Sequence, residues 1–475
     1  MAVQNVRQGT VSAEIAELAA ALMARQRIPL QALQDRRTQL NSRSAALTTL
    51  RTRLVTLRSE LDSLAQAGTL SPLSGKAATS SDDKILTATA GASAANGAVS
   101  ITVGQLARRA THASDVYTDT ATSIADAGTG TYAFRLTIAG TDYDVSVTID
   151  PGDTDKAVLD ELAAAITTAL GSKGTAVRVQ TATGESRLSI GSAETGTANK
   201  IAFTDTDGLL ARIGVVHGAP TAATDTTGGY VYDDLGNHEL DARLVVDGLT
   251  YYRDSNTVSD LVSGVTLSLK AASASAVTVK IQPDADRAIA KLGSFIAKYN
   301  DVLDYLKQQT FVDAKAGTRG ILSLDSAFRL LGTELKRQAA TVVASQGAGQ
   351  VNSLAALGIR ADGEGKLSIA DETKLRETFL ADPAAVQSLF NAADGVATTL
   401  EALVDKHTRS DGTIAQTRNS ITARISGLNG QIARMEESLA KRQAQLELQL
   451  ARSQAMLQNL ARQGSQIGSF FTQGF

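Results

Sequence analysis

Apolar residues recur every three and four positions along two stretches at opposite ends of the chain, and this pattern predicts two long helices. In residues 413–467 the stripe is Ile421, Ile425, Leu428, Ile432, Met435, Leu439 and Leu446, interrupted at Arg442. That is a heptad seam. Beyond Leu446 it continues through Leu450, Leu457, Leu460 and Ile467, a shift that a stutter produces. Asp411-Gly412 makes a turn before it, and Thr413 with Gln416 has the spacing of a capping box. Near the other terminus Leu33, Leu40, Leu47, Leu54 and Leu61 sit seven apart. Leu50, Leu57 and Leu64 fill the complementary seam, Arg36 and Arg43 hold its earlier places, and Val11, Ile15, Leu18 and Leu22 repeat the spacing upstream. A helix over 413–467 would be about 80 Å long, more than one compact domain buries. The expectation is therefore a stalk in which the two ends meet, with residues 33–64 packed on the C-terminal helix and the middle looped out. The competing expectation is that each seam packs inside its own domain. Pro29 predicts a break in the first helix, because proline lacks an amide donor, and Gly427 and Gly430 are the matching weak points of the second; the equal alternative is a proline tolerated at a helix first turn and two packing glycines. These three positions are the hinge candidates.

After Leu64 the residues Gly68, Ser71, Pro72, Ser74 and Gly75 end the helix, and the pattern turns to strands. Residues 97–103, 132–138 and 143–149 alternate apolar and polar. Val158, Leu162 and Ile166 mark a helix ended by Gly171, and residues 177–179 and 188–190 read as strands, giving a ββαββ module. Loose Ala/Thr/Ser/Gly/Asp stretches flank it, the second over 218–229. Asp247-Gly248 between two apolar runs predicts a hairpin, followed by a short helical turn over 258–261 and strands over 265–269 and 277–281. Helix returns with Ile289, Leu292, Ile296, Tyr299, Leu303 and Leu306, and shorter helices are expected over 326–336, 372–380, 383–390 and 396–405. The predicted class is a multidomain α+β protein: a terminal α-helical coiled-coil stalk and helical bundle with inserted β-rich head domains. Its segments are an N-terminal leg helix, 1–32; a helical stalk, 33–70 plus 284–426; a β-rich head, 71–109 plus 236–283; an inserted head, 110–235; and a C-terminal leg helix, 427–475.

At 475 residues the chain has room for about three domains, and its 43% apolar content can supply their cores. Without cysteine, disulfides and thiolate zinc sites are excluded. No apolar core of a cleaved signal is visible near the N-terminus, and no run of about 18 apolar residues can span a membrane. The expectation is a cytosolic protein or one exported without a cleaved signal. The net charge of −3 is uneven: arginines crowd the two ends, and the middle is acidic. Those arginines lack interleaved aromatics, so solvated helix faces and subunit contacts account for them better than nucleic acid does.

Catalytic, cofactor and metal constellations are not found. The four histidines, His112, His217, His238 and His407, are isolated, and surface or loop positions are expected for them. Gly171-Ser-Lys-Gly174 lacks P-loop spacing. Asp362-Gly-Glu-Gly365 and Asp205-Thr-Asp-Gly208 lack the twelve-residue calcium pattern and read as turns.

Four stretches carry a resemblance: Leu22-Met-Ala-Arg-Gln-Arg-Ile-Pro29-Leu-Gln-Ala-Leu33; Asp247-Gly248 through Asn256 to Gly264-Val-Thr-Leu-Ser-Leu269; Phe295-Ile-Ala-Lys-Tyr299-Asn300; and Leu357-Gly-Ile359 through Asp362-Gly363, Leu367-Ser-Ile369 and Asp382-Pro383 to Leu389-Phe390. With the terminal heptads they resemble the flagellar filament cap proteins, the hook-associated protein 2 family, over nearly the whole chain. The family's usual Gly-Leu-Asp segment is replaced here by Gly9-Thr-Val-Ser12-Ala. The resemblance implies a non-enzymatic structural protein, secreted through the flagellar type III channel to the distal filament tip. There it implies a ring-like homo-oligomer with helical legs and a β plate, which stops flagellin leakage and promotes flagellin polymerisation and filament elongation. Partners implied are further copies of the chain, flagellin, hook-filament junction proteins and an export chaperone. The alternative is another exported axial or surface adhesion protein. Contact candidates are the seam residues Leu33, Leu40, Leu47, Leu54, Leu61, Ile421, Ile425, Leu428, Ile432, Met435, Leu439 and Leu446, with the apolar tail Phe470, Phe471 and Phe475.

Overall fold

The computed structural model describes residues 13–347 and 350–472. In chain order they begin with helix α1 (Ala13–Leu64) and strands β1 (Lys76–Ser80), β2 (Leu86–Ala90), β3 (Gly97–Gln105), β4 (Arg109–Ala113) and β5 (Tyr117–Thr118). Next come the one-turn helix α2 (Ser123–Asp126), β6 (Gly130–Ile138), β7 (Thr141–Ile149), α3 (Asp155–Leu170), β8 (Gly174–Ala182), β9 (Glu185–Thr195), β10 (Ile201–Thr204), α4 (Leu209–Arg212) and β11 (Gly229–Tyr232). Then follow β12 (Ala242–Val246), β13 (Leu249–Arg253), β14 (Thr257–Val262), β15 (Val265–Leu269), β16 (Val277–Pro283) and α5 (Ala285–Thr310). The chain continues with β17 (Val312–Asp313), β18 (Thr318–Arg319), α6 (Ser326–Ala339), β19 (Ile359–Ala361) and β20 (Leu367–Ile369). It closes with α7 (Glu372–Ala381), α8 (Pro383–Asn391), α9 (Val396–Thr408) and α10 (Thr413–Thr472). These elements group into a helical unit, up to Leu73 and from Asp286 onward, and a strand-rich unit, Ser74–Ala285.

In the helical unit α1 and α10 run antiparallel, because the partners of Arg27, Gln34 and Arg37 on α10 are Gln443, Glu436 and Asn429 in descending order. The C-terminal half of α1 is enclosed by more than one neighbour: Tyr305 of α5 donates to the Ala46 carbonyl, and Arg58 pairs with α9. That is why Leu47, Leu50, Leu54, Leu57, Leu61 and Leu64 are all fully buried. α1 continues unbroken through Pro29, against the break its sequence predicts. Proline removes one hydrogen bond, to the Arg25 carbonyl, but Arg25, Ile28 and Pro29 are exposed and water can replace it. Two segment boundaries read from the sequence, at 32/33 and at 426/427, accordingly fall inside continuous helices. The capping box also differs: Thr413 is the first helical residue, and Gln416 donates to the Asp411 carbonyl instead of turning back to an amide.

The strand-rich unit holds an eight-stranded antiparallel sheet in the order β13-β12-β3-β16-β1-β2-β15-β14. Its alternation buries Ile101, Val103, Leu244, Val265, Leu267, Val277 and Val279. Asp247 and Gly248, at φ 47° and 89°, form the primed turn between β12 and β13. Residues 257–262 are strand β14, where the sequence predicts a helical turn; β14 is held by antiparallel pairing to β15, which follows it directly across the Ser263-Gly264 turn.

A second core in this unit forms around α3 and two smaller sheets, β10-β6-β7 and β11-β4-β9-β5 with β8 on β9. Phe134, Leu136, Ile138, Val145, Val147 and Ile149 face Val158, Leu162 and Ile166 of α3. The flanking stretches are not loose. β4 pairs with both β9 and β11, and the Arg187 guanidinium donates to the carbonyls of Ala222 and Asp225. Such side-chain-to-backbone bonds satisfy a low-hydropathy loop without a periodic signal. Leu240 is fully buried in this core, beyond the expected boundary at residue 235. Gly196, at φ 92°, is required where this core meets the larger sheet, since a Cβ there would lie 2.2 Å from that of Asp254. A fragment spanning 108–241 should be soluble and unfold cooperatively, whereas 110–235 should melt at lower temperature; equal melting by circular dichroism would show that Leu240 is dispensable to this core.

Candidate functional site

The feature that distinguishes this molecule is the paired termini. Along the pair Ile421, Leu428 and Ile432 are buried, while Leu33, Leu40, Ile425, Met435, Leu439 and Leu446 are half-buried. Two helices alone cannot enclose a seam on all sides, so burial decays away from the bundle. Farther out Leu22, Ile28, Leu448, Met456 and Leu460 are 45–67% exposed. Phe470 and Phe471 lie in the last turns of α10, Gly427 is exposed and Gly430 half-buried within it; Phe475, Val11 and residues 9–12 lie outside the described residues.

Several arginines expected on solvated faces instead tie α1 to the bundle. Arg43 forks onto Asp325, Arg53 pairs with Asp301 and lies over the Tyr305 ring, and Arg58 reaches Glu401 at 2.9 Å and Asp405 at 2.7 Å. Lys291 and Ser294 grip Glu60. Burial pushes that carboxyl up, but the lysine and hydroxyl outweigh it and hold the group below the usual range. Partly exposed pairs are worth about 0–1 kcal/mol each, so their main effect is to set the rotation of α1. No local signal marks them, because each partner is more than 200 residues away.

The motifs behind the resemblance have structural work that the sequence did not reveal. The Asn256 side-chain amide both accepts from the Ala107 amide, at 2.8 Å, and donates to its carbonyl, at 2.9 Å. Asn300 does the same to Leu367. Each asparagine thus stands in for one rung of a strand pair. Phe295 and Tyr299 are fully buried, and Phe295 meets Phe390 edge-on. Asp382 caps α8 with Pro383 at its first turn, and Asp362 accepts the amides of Glu364 and Lys366 in the turn between β19 and β20. Asp205 and Asp207 likewise accept the amides of Ala211 and Ala133. Among the described residues no group of three acidic or histidine side chains is placed to hold a metal ion, and no helix is long and apolar enough to cross a membrane.

Two histidines are buried rather than at the surface. His407 lies in α9, and His112 on β4 meets Phe203 edge-on, with Asp233 3.7 Å from Nε2. Burial pushes the His112 imidazole below its ordinary value of 6.5, and Asp233 offsets only part of that. The unfolded chain therefore binds the proton first, so stability is full above the ordinary value and is lost as pH falls below it. The melting temperature of the strand-rich unit should drop between about pH 7 and about pH 5, and His112→Gln should flatten that slope. Parallel slopes for the two proteins would assign the loss to other groups.

A family model described as flagellar hook-associated protein 2 N-terminus matches residues 12–110, and one described as its C-terminus matches 240–462. The chain belongs to the flagellar hook-associated protein 2 family. The two matches flank 111–239, which is most of the second core. Among relatives, the B-type flagellar hook-associated protein 2 of Pseudomonas aeruginosa is 27% identical over 369 residues, covering 75% of this chain and 74% of that protein. The flagellar hook-associated protein 2 of Aeromonas caviae is 26% identical and covers 78% and 76%. In fold the chain is similar to the flagellar cap protein FliD D1-D2-D3 domains from Escherichia coli, with a TM-score of 0.56 at 24% identity over 79% of this chain and 99% of that one.

Proposed function

We propose that this chain is the cap of a bacterial flagellar filament. It sits at the distal tip as a ring-like homo-oligomer, blocks the escape of flagellin and promotes its polymerisation beneath the heads. The observation that carries this reading is the pairing of α1 with α10 in a chain matched at both ends by the hook-associated protein 2 models. A protein that must hold a growing polymer needs an anchor and a cover. The exposed apolar positions on the outer parts of both helices supply a surface for the anchor, since isolated soluble helices rarely display such a row. The half-buried Leu33, Leu40, Met435, Leu439 and Leu446 beside that surface and the tail from Phe470 are the contact candidates, and Pro29 with Gly427 and Gly430 the points of bending. The chain reaches the tip by export through the flagellum, and its role is structural rather than enzymatic. The adhesion reading gains no specific observation. Deleting the gene should abolish filaments and leave flagellin in the medium, and the intact chain should restore them; normal filaments in the deletion strain would overturn the proposal.

A further inference from the structure

Where α1 and α10 leave the bundle, the helical unit carries an open groove of about 910 Å³. Its rim is cationic: Arg36, Arg319 and Arg424 line it, and none has an ion-pair partner among the described residues. Arg43, the fourth arginine there, is already paired with Asp325. Between them lie apolar side chains, Leu40 half-buried, Ile321 38% exposed and Leu324 75% exposed. Gly427 forms part of the wall, and no atom comes within 4 Å of where its Cβ would be. A groove with an apolar floor and unpaired positive rim fits an acidic segment that ends in an apolar side chain.

The chain itself has such a segment. The loop after β11 reads Asp233-Asp-Leu-Gly-Asn-His-Glu239, and Leu235 at its tip is 62% exposed. The loop holds its shape: Asp234 accepts from the Gly236 and Glu239 amides, and Glu239 accepts from the Leu235 and Asn237 amides. Preorganisation of this kind lowers the entropy lost on docking. We propose that the groove receives the leucine-tipped acidic loop, residues 233–239, of a second copy of this chain. Leu235 enters between Leu40, Ile321 and Leu324, while Asp234 and Glu239 face Arg36, Arg319 and Arg424. The contact is heterologous, groove to loop, which builds a ring when the rotation between copies closes. This rests on the homo-oligomer reading above and names the surfaces that build it.

The absence of native cysteine makes a clean test possible. Full-length Leu324→Cys and full-length Leu235→Cys proteins are mixed under oxidising conditions and resolved on a non-reducing gel. A disulfide-linked pair of one variant with the other is expected, well above the level for either variant alone. In parallel, Arg36→Glu with Arg424→Glu, both at exposed positions, should raise the concentration at which the protein assembles by roughly tenfold or more in sedimentation, without changing its melting temperature. Assembly without the mixed disulfide, and unaltered by the charge reversal, would overturn the pairing while leaving the oligomer reading intact. A protein that stays monomeric at all concentrations would overturn both.

Discussion

Leu54→Asp should abolish cooperative unfolding of the helical unit while the strand-rich unit still melts as a separate transition. Leu54 is fully buried at the level where α1 is enclosed by the bundle, with Leu50, Leu57 and Leu61 equally inaccessible beside it. Truncating a leucine in such a place costs roughly 2–5 kcal/mol. A carboxylate must in addition leave water with no partner or take up a proton to do so, and with the cavity this is comparable to the roughly 5–15 kcal/mol total stability of a domain. The helical signal in circular dichroism should fall sharply, and proteolysis should release a stable fragment close to Ser74–Ala285. Leu33→Asp is the control: Leu33 is half-buried beside Met435 of α10, so its effect on melting should be much smaller. Equal losses from both variants would mean that the outer pair and the bundle form one cooperative core.

A stop after Leu446 should have the opposite profile: a folded protein without function. Beyond that residue α10 displays Leu448, Met456 and Leu460 at 45–67% exposure, so little of the monomer's apolar burial is lost with it. The truncated chain should keep its melting temperature within a few degrees and still reach the medium when expressed in a strain lacking the gene. It should restore neither filament growth nor retention at the tip, and flagellin should accumulate outside the cells. Apolar surface left uncovered in one chain is the surface a partner covers. Full-length filaments with no excess flagellin would show that the terminal part of α10 is not the anchor.

Pro29 shows why a strong local signal can mislead. A proline within a heptad run reads as a break, yet the cost of one missing hydrogen bond at an exposed turn is small beside the burial along the remaining helix. The 258–261 stretch is a similar case, since its pairing to β15 and not its own pattern decides that it is a strand. His112 and the arginines of α1 belong to the same class: whether a polar side chain is solvated depends on what the fold brings against it.

What the sequence determined on its own is whatever a periodic or single-residue rule controls. The seven-residue leucine spacing demanded long helices with a seam, the alternation over 132–149 demanded strands, and Asp247-Gly248 demanded a primed turn because few residue pairs accept positive φ twice. The family resemblance likewise came from contiguous motifs. Only the tertiary structure decided that Arg58 meets Glu401 and Asp405, that Leu240 completes the core around α3, and that Asn256 and Asn300 replace strand rungs. Only there do Arg36, Arg319 and Arg424 share one groove. Each of these joins residues far apart in the chain, and a distance in space that no sequence interval encodes is set by the packing of every element between them.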